Sequence, residues 1–188
     1  MSRWEPDARG RLEKAALDLY SERGYEQTTA AQIAERAGLT ERTFFRHYAD
    51  KREVLFGGSS LLEEFFVDAL AGTPDTALPI DAMATTLEAV AALFLERHEH
   101  SRQRHAVIVA NAELRERELI KLASLSAALA ATLRRRGVKD PAATLTAEAG
   151  ITVFKVGFER WVGDNGDRPL ADFLRESLDE LKVVTGGG

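Results

Sequence analysis

Between Thr29 and Glu53 the chain carries three helix-start signals in close succession. Thr29 is followed three residues later by Gln32, Thr40 stands before Glu41, and Asp50 is followed three residues later by Glu53. Each pattern places a side-chain oxygen where it accepts from the free amides of a first helical turn. Gly24 and Gly38 follow apolar-periodic stretches and supply the left-handed conformation that closes a helix. The spacing therefore predicts short helices: one over Asp7–Arg23, with Leu12, Ala15, Ala16, Leu19 and Tyr20 on a shared face, one from Thr29 to Gly38, and one over Glu41–Tyr48. A fourth is expected from Lys51 to about Gly72, weakened and bendable at Gly57-Gly58-Ser59-Ser60.

The rest of the chain continues in helical period without a β-branched alternating run. Helices are expected from Ile80 to about Glu99, with a break near His98–Ser101, and from Arg102 to Arg136, with an interruption at Asn111-Ala112. Two more are expected from Pro141 to about Val162 and from Arg168 or Pro169 to Val184, ahead of a frayed TGGG tail. With 188 residues, 45% of them hydrophobic, the chain can bury a sizeable core. The fold class is all-α with about nine helices: an N-terminal three-helix domain, residues 1–52, and a helical bundle, residues 53–188. There is no cysteine, which excludes disulfides, thiolate metal sites and cysteine nucleophiles. The polar N-terminus lacks the apolar stretch of a signal peptide, and no run of about 18 apolar residues offers a membrane span, so the expected compartment is the cytoplasm.

Charge is unevenly placed. Residues 1–53 hold ten basic and ten acidic side chains, so the whole net charge of −5 arises after Glu53. Arg42, Arg46, Lys51 and Arg52 face only Asp50 within their own stretch, a local excess that a whole-chain sum hides. Two short helices joined at Gly38, the second rich in cations, form the pattern of a helix-turn-helix. Ile33, Ala34, Ala37, Leu39 and Phe44 suit its inward face. Phe45 lies about 100° around the helix from Phe44 and cannot share that face. An outward aromatic between cations suits a deoxyribose-phosphate backbone, so this face is expected to meet double-stranded DNA.

The stretch GYEQTTAAQIAERAGLTERTFFRHYADKREVLF, Gly24–Phe56, resembles the DNA-binding region of the TetR family of bacterial transcriptional regulators. That resemblance implies a homodimer on a palindromic operator, repression of nearby genes, release by a small-molecule effector, and association with the nucleoid while bound to DNA. It implies phosphate contact at Thr29, base-facing positions at Glu41, Arg42 and Thr43, and backbone contacts at Phe45, His47 and Lys51; Thr40 and Arg46 complete the DNA-binding set. Arg42 is the specificity candidate, because arginine bonds guanine bidentately. The family often has tyrosine where Phe45 stands, which leaves packing without a hydroxyl contact. Ala30 and Ala31 are too short to reach bases, which puts readout on the third helix.

SRQRHAVIVANAELRERELIKLASLSAALAATLRRRGV with FERW resembles more loosely the C-terminal domain of a TetR subgroup with acyl-CoA-like ligands; that subgroup often has proline where Ala112 stands. An elongated apolar pocket is expected to involve Leu87, Phe94, Arg104, Val107, Ile108, Phe154, Phe158 and Trp161, with Arg102, Arg104, Arg115 or Arg117 toward an anionic head group. The dimer face is expected at Phe154, Leu170, Phe173, Leu174, Leu178 and Leu181. His98 and His100 point about 200° apart on a continuous helix, so no metal is expected, and no cofactor. No nucleophile, paired-acid or phosphate-loop pattern supports an enzyme. Two other readings are an activator or architectural DNA-binding protein without ligand, and a helical enzyme acting on a lipid-like substrate.

Overall fold

The computed structural model describes residues 8–186; the expected helix start at Asp7, the polar segment before it, and Gly187 and Gly188 lie outside the described residues. Among these, the chain forms nine α-helices and no strand: α1 (Ala8–Arg23), α2 (Ala30–Arg36), α3 (Glu41–His47), α4 (Ser59–Ala71), α5 (Pro79–Ala91), α6 (His98–Ala110), α7 (Ala112–Arg135), α8 (Ala142–Val162) and α9 (Leu170–Thr185). Two 3-10 turns stand at Glu53–Phe56 and Ala92–Phe94. The fold is all-α.

The chain divides into two compact units. The first comprises Met1–Ser59, described from residue 8 on, together with Gln103–Glu118; the second comprises Ser60–Arg102 and Leu119–Gly188. In the first, Leu12, Ala16 and Leu19 of α1 meet Ile33 and Ala34 of α2, Phe44 of α3, and Val54 and Phe56 of the 3-10 turn. Val107, Ile108 and Leu114, from the corner between α6 and α7, belong to the same core. In the second unit, α8 packs against α9, and α5 packs against both. Gly157 makes that approach close: a Cβ there would stand 3.2 Å from the backbone N and Cα of Leu174.

Three expectations are corrected. The fourth helix does not begin at Lys51. The Asp50 carboxylate does accept from the amides of Arg52 and Glu53, at 2.8 and 3.1 Å, but a 3-10 turn follows and α4 starts at Ser59. The break before α6 falls ahead of His98, at Leu95–Arg97, where Glu96 takes φ 62°. The expected dimer stripe is monomer core: Phe154, Leu170, Phe173, Leu174 and Leu178 are buried within their own chain, at most 7% exposed, and Leu181 is packed against them. An amphipathic stripe demands a cover, and α5 and α8 of the same chain supply it.

Gly57 also has a different reason from the expected bend. A Cβ on it would run into the Glu13 carboxylate and sit 2.8 Å from the Tyr48 hydroxyl, whose own 2.8 Å hydrogen bond to Glu13 lies against it. At Gly58 a Cβ would meet nothing within 4 Å. Gly57→Ala should therefore cost about 1 to 3 kcal/mol by displacing a partly buried hydrogen bond, whereas Gly58→Ala should be neutral or stabilise by up to about 1 kcal/mol. Urea denaturation of the two single variants measures this difference.

Candidate nucleic-acid interface

Each of α2 and α3 has only seven residues, too few to hold helical form alone, and side chains fix their ends. Thr29 accepts from the Gln32 amide at 3.2 Å while the Gln32 side chain accepts from the Thr29 amide at 3.0 Å, a complete capping box. Thr40 accepts from the Thr43 amide at 3.2 Å, and the two threonine hydroxyls lie 3.0 Å apart. Thr40 and Thr43 thus spend polar capacity on the start of α3.

On α3 the two phenylalanines diverge. Phe44 is fully buried, and Phe45 is 52% exposed, its ring edge-to-face with that of Phe44 at 5.3 Å. Glu41, Arg42 and Arg46 are exposed, and the two arginines have no ion-pair partner among the described residues. This sets them apart from Arg36, held bidentately by Glu22 at 3.0 and 2.8 Å, and from Arg52, held by Asp50 at 2.6 Å. Those bonds lower the carboxyl pKa of Glu22 and of Asp50, in each case chiefly through the arginine hydrogen bond. His47 is half-buried, and its Nε2 is buried without a hydrogen-bond partner.

Lys51 does not stand at the amide end of a helix. Its ammonium donates to the carbonyls of Tyr25, at 2.9 Å, and Thr28, at 3.2 Å, and lies 4.2 Å from the centre of the Tyr25 ring. The Lys51 carbonyl in turn accepts from the Tyr20 hydroxyl at 2.6 Å. Burial raises the Tyr20 phenol well above its ordinary pKa, which keeps it a neutral donor.

Sequence reasoning missed the contribution of the corner between α6 and α7. Arg104 donates to the Leu55 carbonyl at 2.8 Å, pairs with Glu118 at 3.4 Å, and lies 5.1 Å from the centre of the Phe56 ring. Desolvation lowers its pKa against the opposing pull of Glu118. Arg117 binds Glu53 at 2.5 Å. These partners lie far apart in sequence, so no local signal marks them.

The residues expected to line one pocket divide between the two units. Arg104, Val107 and Ile108 belong to the first, where Arg104 is occupied as described. Leu87, Phe94, Phe154, Phe158 and Trp161 belong to the second, where Phe94 lies 5.7 to 6.1 Å from Phe154, Phe158 and Trp161, ring centre to ring centre. His98 stacks edge-on against Trp161 at 4.9 Å and donates to the Trp161 carbonyl. Among the described residues no group of three or more metal-ligating side chains gathers, and no helix is long and apolar enough to cross a membrane.

Comparison with known proteins gives this geometry a family. Residues 12–56 match bacterial regulatory proteins of the tetR family, and residues 77–185, more than half of the chain, match the MftR C-terminal domain. The HTH-type transcriptional regulator TcmR of Streptomyces glaucescens is 43% identical over 82 residues, 44% of this chain and 36% of that protein. The HTH-type transcriptional repressor KstR2 of Mycobacterium tuberculosis is 32% identical over 101 residues, 54% of this chain and 48% of that protein. The chain thus spans about half the length, or less, of these curated relatives. Among solved structures, Thermus thermophilus FadR, a TetR-family transcriptional repressor in complex with lauroyl-CoA, is 25% identical, covers 92% of both chains and has a TM-score of 0.56. These relatives are transcriptional regulators, not enzymes. With a family match over more than half its length, the chain belongs to the tetR family of bacterial regulatory proteins.

Proposed function

We propose that this protein is a dimeric, effector-responsive repressor that binds a palindromic operator through α3 and releases it when an apolar or amphipathic molecule, such as an acyl-CoA, enters the second unit. The carrying observation is the free, exposed pair Arg42 and Arg46 flanking exposed Phe45, on a helix whose start is capped and whose other aromatic is buried. Residues 1–52 supply DNA recognition and residues 53–188 the effector and dimer functions, acting in the cytoplasm on the nucleoid. The effector class is supported by the lauroyl-CoA bound to the Thermus relative and by the ring cluster of Phe94, Phe154, Phe158 and Trp161. Release requires that effector and DNA favour different states of the protein. The α6–α7 corner fits this role because Gln103–Glu118 packs into the first unit while both helices continue in sequence into segments of the second.

The test is selection of duplexes from a randomised library, followed by binding to the selected duplex with and without lauroyl-CoA. A palindromic consensus and dissociation by micromolar lauroyl-CoA are expected. A palindrome whose binding ignores lauroyl-CoA, free fatty acids and other amphiphiles would favour a DNA-binding protein without ligand.

Two residue-level outcomes follow from the geometry. Arg42→Ala should cost about 1 to 3 kcal/mol on the selected operator and relax preference at one position per half-site. Arg46→Ala should lower the salt slope of binding by about one counterion per subunit, and Lys51→Met should leave that slope unchanged while lowering the melting temperature, because the Lys51 ammonium is occupied by carbonyls. Titrations at several salt concentrations separate the cases.

With Leu174 and its neighbours occupied in the monomer, the dimer face belongs on the outward side of α8. Leu145 and Val156, 64% and 43% exposed, lie about 20° apart around that helix, with exposed Thr152 about 20° to the other side of Leu145. Val156→Glu should yield folded monomers, read by sedimentation and circular dichroism. Those monomers should lose most operator affinity, since two half-sites about 34 to 36 Å apart need paired recognition helices.

A further inference from the structure

Helix α2 closes with a paired pattern: the Leu39 amide donates to the Ala34 carbonyl at 2.8 Å and the Gly38 amide to the Glu35 carbonyl at 2.9 Å, with Gly38 at φ 68°. The carbonyls of Ala37 and Gly38 lie beyond that pair. Both accept from one nitrogen, Nη2 of Arg11 on α1, which reaches Ala37 closely and Gly38 at 3.3 Å. A guanidinium at this end complements the negative pole of α2. Gly38 is doubly constrained, since a Cβ there would stand 2.9 Å from the same Arg11 nitrogen. A second tie from α1, the bidentate bond of Glu22 with Arg36, holds the last turn of α2. The carbonyls that Arg11 grips belong to the link that ends at Thr40, the residue that caps α3.

We propose that Arg11 is a positioning residue for operator recognition: by clamping the Ala37 and Gly38 carbonyls it fixes the direction in which α3 leaves α2, and it acts through this turn, not by contact with DNA. The inference rests on the reading of α3 as the recognition helix. It separates Arg11 from the exposed cations of α3, because its guanidinium is spent on backbone carbonyls.

The test compares wild type, Arg11→Met and Arg11→Lys on the duplex that the wild type selects from a randomised library and on a scrambled duplex, with melting temperatures measured alongside. For folded Arg11→Met, operator affinity should fall about tenfold or more while scrambled-duplex affinity and the salt slope stay at wild-type values. Arg11→Lys keeps the charge without the forked geometry and should fall between, so it carries the test by itself if Arg11→Met does not fold. A slope reduced by about one counterion per subunit in Arg11→Met would make Arg11 a phosphate contact and overturn the proposal. Unchanged operator discrimination in a folded variant, with only the melting temperature lowered, would overturn it too. If the wild type selects no sequence, the recognition reading itself fails, a result distinct from failure of the Arg11 clamp alone.

Discussion

The Lys51 ammonium is the tie on which the first unit depends. It lies after α3 in sequence, yet its hydrogen bonds reach back to the Tyr25 and Thr28 carbonyls in the segment between α1 and α2. That segment needs partners, because partly buried carbonyls left without a donor are costly. One cation satisfies two of them, and the Tyr20 hydroxyl closes the circuit on the Lys51 carbonyl. Two seven-residue helices thereby hang from a fixed frame, and caps at Thr29 and Thr40 then suffice to shape them.

The same unit draws on distant sequence. Arg104 and Arg117 bring the α6–α7 corner to Leu55, Glu53 and the Phe56 ring, with Val107, Ile108 and Leu114 filling the core beneath. A side chain such as Arg104, 23% exposed and partly stripped of water, is held only while its carbonyl and carboxylate partners stay in register. Displacing that corner therefore leaves a desolvated charge unpaired.

Local chemistry was legible in the sequence, and tertiary partnership was not. The caps at Thr29 and Thr40, the closure at Gly38 and the opposed faces of Phe44 and Phe45 all follow from neighbours within four residues, where residue type decides the outcome. The stripe Leu170–Leu178 was equally visible as a stripe, but periodicity says only that a face is covered; here α5 and α8 cover it. Lys51 shows the same limit of local reading. A cation after a recognition helix reads as free until the carbonyls it serves are located, and these lie in the segment between α1 and α2. At Gly57 flexibility was inferred where steric room for Tyr48 and Glu13 is the cause.

The edge-to-face contact between Phe45 and Phe44 has a thermodynamic consequence. An exposed aromatic leaning on a buried one is already restricted in rotation, so less side-chain entropy remains to be lost when it is covered. Without a hydroxyl, this ring presents only hydrocarbon. In the proposed complex it contributes desolvated area, whose signature is a negative heat-capacity change. Arg42 and Arg46 contribute counterion release instead. Binding on this face is thus divided between a part that weakens with salt and a part that salt leaves in place, so moderate ionic strength strips away loose electrostatic association while the aromatic anchor persists.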